Sequence, residues 1–134
     1  MAAKLLYCTQ WRIRMATLTV FTPAYNRAHT LPRTYESLQK QSCKDFVWLI
    51  VDDGSKDQTA KLVKEWQQQE KTFEIRYIYK ENGGMHTAHN VAYENIDTEL
   101  NVCIDSDDCM ADGAVKKIID TCLLYTSPSP RDCS

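Results

Sequence analysis

Four short apolar segments recur along this chain at nearly equal intervals, and this regularity limits the folds open to it. They begin at residues 17, 45, 74 and 99, so each interval is close to the length of one strand–helix–strand unit. All four are rich in the β-branched and aromatic residues that favour strands. The segments are TLTVFT (17–22), DFVWLIV (45–51), EIRYIY (74–79) and ELNVCI (99–104).

Between these segments, apolar residues recur at the three- to four-residue spacing of amphipathic helices. Thr30 and Pro32 are start signals for the first helix, and Asp57 can cap the second. The third is entered through Gly83-Gly84, and Asp112 is predicted to cap the fourth. The alternation predicts an α/β fold: a parallel sheet of about four strands with helices on both faces. The apolar helix positions include Leu31, Tyr35, Leu38, Ala60, Val63, Trp66, Ala88, Val91, Ala92, Val115, Ile118 and Ile119.

The composition indicates one globular domain and excludes some ligand classes. The chain has 134 residues, of which 43% are hydrophobic and 25% charged, which suits a single packed core. A net charge of −2 provides no broad basic surface, so nucleic acid is not a predicted partner. Six cysteines include no C-x-x-C pair, which argues against structural zinc. A reducing, cytoplasmic setting is predicted, while the number of cysteines alone would also permit secretion.

The second and fourth apolar segments are continuous runs, which predicts strands that are buried on both faces. Cys103 lies in the fourth run and is predicted to pack as a small hydrophobic residue.

Both ends of the chain depart from the alternating pattern. Residues 1–14 precede the first strand and are interpreted as an N-terminal extension, so the predicted domain covers residues 15–124. The tail at 125–134 places two prolines among small polar residues and resembles translated adapter sequence. It is therefore interpreted as non-native. No run approaches the length of a signal-peptide core or a membrane span.

A polar motif follows each predicted strand. TPAYNR follows the first, DDGSKD the second, KENGGMH the third and DSDDC the fourth. In open parallel sheets, ligands bind beyond the carboxyl ends of the strands. The four motifs are therefore predicted to meet along one edge of the sheet and to form the functional site.

The acidic motif after the fourth strand predicts a metal site. Asp105 and Asp107 repel each other at neutral pH, and a divalent cation would convert this repulsion into shared attraction. Carboxylate oxygens suit Mg²⁺ or Mn²⁺, whose coordination is often completed by substrate phosphates. The alternative is a solvated turn, and Asp108 could serve either role. An EF-hand is excluded, because Met110 and Lys116 stand where Gly and Glu are required.

The other motifs are compatible with a nucleotide ligand, although each has a structural alternative. Free amides of Gly83 and Gly84 at a helix start could bind a pyrophosphate, or the two glycines could simply form a turn. Asp52 and Asp53 could accept a hydrogen bond from a base or a ribose. Tyr25 could stack against a base or pack in the core.

Together, the motifs strongly resemble those of the family 2 glycosyltransferases of the GT-A fold. The resemblance rests on TVFTPAYNRAHTLPRTYESLQKQSCKDFVWLIVDDGSKDQT, ENGGMHTAHNVAYENI and DSDD, in that order, over residues 16–120. It implies the Rossmann-like, nucleotide-binding half of a GT-A enzyme. The implied reaction moves a sugar from a nucleotide diphosphate donor, often UDP-linked, to an acceptor hydroxyl with inversion, with Mg²⁺ or Mn²⁺ as cofactor.

The resemblance also implies partners and residue roles. By this resemblance, the acceptor would be a glycan, a lipid-linked molecule or a protein, in cell-envelope polysaccharide synthesis. The protein would be cytoplasmic, and its full-length form could be associated with the membrane. Asp107 would ligate the metal, and Asp105 would lie near the metal or the ribose, while Asp53, with Asp52 beside it, would read the base. The implied nucleotide-binding residues are Thr22, Pro23, Tyr25, Asn26, Asp52, Asp53, Gly83, Gly84, Asn90, Asp105 and Ser106.

Two departures from the family pattern are visible. Ala111 stands where a proline usually follows the acidic motif, which is a harmless change. The general base of the family comes from an acidic motif further along, in an acceptor-binding region that has no counterpart in these 134 residues. The chain is therefore expected to bind the donor without completing the transfer.

Two other functions share part of this pattern. A sugar-nucleotide nucleotidyltransferase also uses an acidic metal site, but it would carry a basic, glycine-rich loop after the first strand. A receiver-like signalling module would carry its acidic pair there. Instead, the first strand ends in Pro-Ala-Tyr-Asn.

Overall fold

The chain alternates between parallel strands and helices, as the sequence predicts. The computed structural model describes residues 16–125, with side chains as far as residue 121, so the predicted extension at 1–14 and the tail beyond Tyr125 lie outside it. No helix within these residues is long and apolar enough to span a bilayer. The strands are β1 (Leu18–Ala24), β2 (Phe46–Asp52), β3 (Glu74–Tyr79) and β4 (Leu100–Cys103). The helices are α1 (Leu31–Gln39), α2 (Thr59–Gln69), α3 (Met85–Glu94) and α4 (Ala114–Tyr125).

The four strands form one sheet in the order β3-β2-β1-β4. β1 lies inside the sheet, where Leu18 pairs with Phe46 of β2 on one side and with Leu100 of β4 on the other. The chain first adds β2 and β3 outward, and then returns through α3 to place β4 on the opposite side of β1. The direction in which strands are added therefore reverses between β1 and β4. In parallel sheets, this switch point leaves a crevice at the carboxyl ends of the strands.

Helices cover both faces of the sheet, as predicted, but unequally. Residues of α1, α2 and α4 pack on one face, where Tyr35, Trp48 and Trp66 stack with ring centroids 4.5 to 6.0 Å apart. On the other face, α3 packs Ala88 and Ala92 against side chains of β1 and β2. β1 and β2 are buried along their whole lengths. The ends of these two strands are thus held between packed layers.

The fourth strand differs from its prediction. β4 was expected to be buried on both faces, but it forms an edge of the sheet and only Leu100 is buried. Cys103, predicted to pack as a hydrophobic residue, is exposed. An uninterrupted apolar run does not distinguish an inner strand from an edge strand, and this prediction was therefore wrong.

β1 was predicted to end at Thr22, but it continues through Pro23 to Ala24. A proline lacks the N–H that a strand interior needs. The carbonyl of Phe21 accepts from Ile104 on the β4 side, so by alternation the nitrogen of Pro23 also points towards that side. β4 pairs with β1 only as far as Phe21 and Cys103. Within the described residues, no strand lies beside this nitrogen, so the missing N–H of Pro23 removes no hydrogen bond from the sheet.

Asp57 was predicted to cap α2; the N-cap residue is Gln58, which forms no side-chain cap bond, but Asp57, one residue earlier, does bond the first turn. Asp57 Oδ1 accepts from the N–H of Thr59, the first residue of α2, at 3.0 Å. Asp112 was predicted to cap α4, but it is Gln41 that accepts from the N–H of Val115, at 3.1 Å. Gln41 is buried and also donates from its amide to the carbonyl of Ala111, at 2.8 Å. The start of α4 is thus held by a side chain 74 residues away in sequence.

The turn after β2 supports a prediction about stability. Gly54 has φ +84°, and a Cβ at this position would lie 2.8 Å from the backbone nitrogen of Asn82. We expect Gly54→Ala to lower the free energy of unfolding by about 2 kcal/mol, through backbone strain and overpacking. Gly113→Ala is the matched control, since φ is +73° but nothing lies within 4 Å, and about 1 kcal/mol is expected from strain alone. Urea denaturation measures both, and equal losses would show that the contact with Asn82 is not restrictive.

Candidate functional site

A cavity of about 420 Å³ opens at the carboxyl edge of the sheet, at the crevice between β1 and β4. Its volume lies in the range typical of small-molecule sites. A cavity of about 320 Å³ at the opposite edge, among residues 44–47 and 71–74, includes none of the predicted site residues. The cavity at the carboxyl edge is lined by Pro23, Tyr25, Arg27, Met85, Asp105, Ser106 and Asp107.

The loop after β1 is fixed by the loop after β2. Asn26 has φ 54°, a left-handed conformation that Asn tolerates better than most residues. Its N–H donates to Ser55 Oγ at 2.7 Å, and its Oδ1 accepts from the N–H of Lys56 at 2.8 Å. Asn26 thus holds two loops together. The neighbouring Tyr25 is 43% exposed and lines the cavity, so its ring is not a core residue.

Polar side chains on α1 anchor the acidic loop after β4. The hydroxyl of Thr34 donates to the carbonyl of Asp108, and Ser37 Oγ accepts from the N–H of Met110 at 2.9 Å. The loop closes on itself through a bond of 3.0 Å from the N–H of Asp108 to the carbonyl of Asp105. The carboxylates of this loop therefore project from a backbone that is tied to the packed core.

Three carboxylates converge on this loop. Oxygen atoms of Asp105, Asp107 and Asp108 lie within 4.8 Å of one another, and all three residues are exposed. Among residues 16–121, none of the three takes part in an ion pair. Closely spaced hard oxygen donors that form no ion pair with the described residues fit Mg²⁺ or Mn²⁺ chemically. We refer to the three residues as the acidic cluster; Asp108 had been left open between a metal site and a turn.

Asp53 links the loops that follow β2 and β3. Its buried Oδ1 accepts from Lys80 Nζ at 2.6 Å and from the N–H of Gly83 at 3.0 Å, while Oδ2 accepts from the N–H of Gly84 at 3.0 Å. Burial alone would raise the pKa of Asp53, but the bonds from Lys80 and the two amides outweigh it and hold the pKa below its usual value. The prediction that the two glycine amides are free is wrong, since both donate to Asp53.

Of the eleven predicted nucleotide-binding residues, four line the cavity: Pro23, Tyr25, Asp105 and Ser106. Four more form the loop contacts described above and are not in the lining: Asn26, Asp53, Gly83 and Gly84. The other three also lie outside the lining. Thr22 is buried, and its hydroxyl accepts from Trp48 Nε1 at 2.9 Å. Asp52 is also buried and accepts from the hydroxyl of Tyr77. Burial and this bond to Asp52 raise the pKa of Tyr77, so its hydroxyl stays protonated and remains a donor. Asn90 lies on the exposed side of α3 and does not line the cavity.

Sequence reasoning missed three residues of this region. Arg27 and Met85 line the cavity, and Lys80 holds Asp53. Arg27 lies inside the TPAYNR motif, two residues after Tyr25. A cation in a motif predicted to bind a nucleotide could have been recognised as a site residue. Met85 and Lys80 carried no such signal, because their roles depend on how the loops after β2 and β3 meet.

The family to which this chain belongs can now be stated. The model of glycosyl transferase family 2 matches residues 19–122, which include the acidic cluster and all four strands apart from Leu18, the first residue of β1. The chain belongs to glycosyl transferase family 2. It is 35% identical over 102 residues to the teichoic acid poly(glycerol phosphate) polymerase of Staphylococcus epidermidis, covering 75% of this chain and 14% of that protein. It is 31% identical over 107 residues to glycosyltransferase GlyA of Streptococcus pneumoniae, covering 77% and 15%.

A solved structure confirms the fold of this family 2 chain. The crystal structure of residues 1–349 of Staphylococcus aureus TarS, in complex with UDP-GlcNAc, matches with a TM-score of 0.71 and 27% sequence identity. The match covers 80% of this chain and 32% of that 349-residue TarS chain. The expected Rossmann-like GT-A architecture is therefore confirmed. The chain spans a small part of the length of the relatives that it matches.

Proposed function

We propose that this family 2 glycosyltransferase chain binds a nucleotide diphosphate sugar, UDP-linked, in the cavity at the carboxyl edge of its sheet. The observation that carries the proposal is that Tyr25 and two members of the acidic cluster, Asp105 and Asp107, line the same cavity at the switch point between β1 and β4. The flat ring can stack against a base, and the carboxylates lie where a diphosphate and its cation would be held. TarS in complex with UDP-GlcNAc supports the choice of donor.

Asp105 and Asp107, with Asp108 beside them, would hold Mg²⁺ or Mn²⁺. When bound, such a cation offsets the negative charge of a nucleotide diphosphate leaving group. The carboxylates share one rigid loop, so they can converge on the ion without reordering the backbone.

Asp53 remains the proposed reader of the base, although it is buried and is not among the residues that line the cavity. A carboxylate has about four acceptor positions, and protein donors occupy three of those on Asp53. One position is left for a donor such as the N3–H of uracil. Lys80 and the glycine loop orient this carboxylate, so the same contacts that stabilise the loop would define the direction from which a base is recognised.

The transfer step requires a group that removes a proton from the acceptor hydroxyl. Within the described residues, the cavity lining has no histidine, and its only carboxylates belong to the acidic cluster. We therefore propose that these 134 residues bind the donor and that inverting transfer depends on a base supplied from elsewhere in a longer protein. The similarity to the teichoic acid polymerase supports a place in cell-envelope polysaccharide synthesis, with the class of acceptor left open. The cytoplasmic, or membrane-associated, location that the family resemblance implies is part of the same proposal.

Calorimetric titration tests this proposal. In the presence of Mn²⁺, UDP is expected to bind at least tenfold more tightly than CDP or ADP, and chelation of the metal is expected to weaken the binding of UDP. A parallel assay with UDP-sugars and a panel of acceptors is expected to show no transfer. Equal binding of the three nucleotides would overturn base selection, and binding unaffected by chelation would overturn the metal site. Transfer at the rate of a longer family member would show that the base lies within this chain.

A further inference from the structure

The cavity contains one cation among its lining residues, and neither the sequence motifs nor the family comparison assign it a role. Arg27 is exposed and lies three residues after the end of β1. It forms no ion pair with any residue in the range 16–121, although Asp105 and Asp107 line the same cavity. Its guanidinium is thus available to a ligand.

The backbone that carries Arg27 is held on both sides. Asn26 is bonded to Ser55 and Lys56, as described above, and the N–H of Ala28 donates to Asp57 Oδ2 at 3.0 Å. The carbonyl of Arg27 itself accepts from the backbone N–H groups of Thr30 and Leu31, at 3.0 and 2.9 Å. The fixed backbone limits where the guanidinium of Arg27 can reach, which favours contact with a ligand in this cavity.

A diphosphate in this cavity needs more positive charge than one divalent ion brings. Such an ion offsets two of the three carboxylate charges of the acidic cluster, so the loop would still repel an anion. Three groups between β3 and α3 that could have contacted an anion are already occupied. The amides of Gly83 and Gly84 donate to Asp53, and Lys80 Nζ donates to Asp53 Oδ1, the carbonyl of Glu81 and Thr87 Oγ1.

We propose that Arg27 binds the diphosphate of the nucleotide donor and is the protein's own cationic contact to it. This inference rests on the proposed function and adds a specificity residue to that site. A guanidinium can bond two phosphate oxygens at once in a fixed fork, which an ammonium cannot reproduce. Arg27 therefore selects for a nucleotide with a diphosphate over the corresponding nucleoside, which carries no anionic group for it to contact.

The test compares Arg27→Gln, Arg27→Lys and wild type by calorimetric titration with UDP and with uridine in the presence of Mn²⁺. Arg27→Gln is expected to weaken UDP binding about fivefold and Arg27→Lys by less, with uridine binding unchanged. Arg33→Gln is the matched control, because Arg33 is exposed on α1 and does not line the cavity. It is expected to leave UDP binding unchanged.

The outcomes separate this inference from the function on which it depends. If wild-type protein binds UDP and Arg27→Gln binds it equally well, the role of Arg27 is overturned while the proposed function stands. If Arg27→Gln weakens uridine as much as UDP, Arg27 does not contact the diphosphate. If wild-type protein fails to bind UDP with Mn²⁺, the proposed function falls and the inference with it.

Discussion

Replacement of Lys80 by methionine is expected to lower the free energy of unfolding by about 3 kcal/mol at neutral pH. Lys80 Nζ and Asp53 Oδ1 are 2.6 Å apart, and the two side chains are only 18% and 8% exposed. Methionine retains much of the apolar stem, but it leaves the buried carboxylate without its charged partner. Loss of one partner from a buried pair is costly because the remaining charge stays desolvated.

Lys40→Met provides the matched control for this measurement. Lys40 and Glu36 form a pair at 4.0 Å with side chains 64% and 68% exposed, and such pairs contribute at most about 0.5 kcal/mol. Guanidinium chloride denaturation of both variants gives the comparison. Equal losses in the two variants would show that the buried contact is no stronger than an exposed one.

The same pair predicts a pH dependence. The pKa of Asp53 is lowered in the folded protein, so the stability it contributes is present above the ordinary carboxyl pKa of 3.8 and is lost as the pH falls through the lowered value. The difference in stability between wild type and Lys80→Met should therefore shrink as the pH drops below about 4. A difference that stays constant down to pH 2 would mean that Asp53 does not carry the effect.

Asp107→Asn is expected to weaken the binding of UDP in the presence of Mn²⁺ at least tenfold, or about 1.4 kcal/mol. Asparagine preserves the shape of the side chain but removes a negative charge from the acidic cluster, whose oxygens lie within 4.8 Å of one another. A cation held by fewer charges is bound less tightly and offsets less of the charge on a diphosphate. Because Asp107 is exposed, the substitution should leave the fold intact, which circular dichroism can verify.

Asp112→Asn is the control for Asp107→Asn. Asp112 is exposed, lies on the same connection between β4 and α4, and belongs neither to the acidic cluster nor to the lining of the cavity. Its replacement removes the same charge from the chain without touching the proposed ion. A loss of metal-dependent binding shared by both variants would indicate a general effect of net charge, and no loss in Asp107→Asn would exclude this residue as a ligand.

Several elements of the fold were predictable from short stretches of sequence. The four strands and four helices follow the predicted order, because each depends on side-chain spacing over two to four residues. The start of α1 at Leu31, beside Pro32, and the bond between Asp57 and Thr59 at the start of α2 are equally local. The acidic cluster could be predicted in the same way, since its three carboxylates lie within four consecutive residues.

The contacts that shape the site could not be predicted in this way. The bond from Lys80 to Asp53 joins residues 27 positions apart, and that from Val115 to Gln41 joins residues 74 apart. Both partners of such a bond look like ordinary polar residues in the sequence. The glycine pair was a reasonable anion site by its local pattern, and only the position of Asp53 beside it showed that its amides were already bonded.

The sequence by itself determined the alternation of strands and helices, the family, and the set of loops that lie at the carboxyl ends of the strands, since these depend on periodicity and on contiguous motifs. The tertiary structure alone decided the strand order β3-β2-β1-β4. That order puts β4 at an edge, where Cys103 is exposed, and lets β1 run through Pro23. It also brings Arg27 and Asp107 to one cavity. The physical reason is that side-chain periodicity records which face of a strand is buried but not which strand lies beside it.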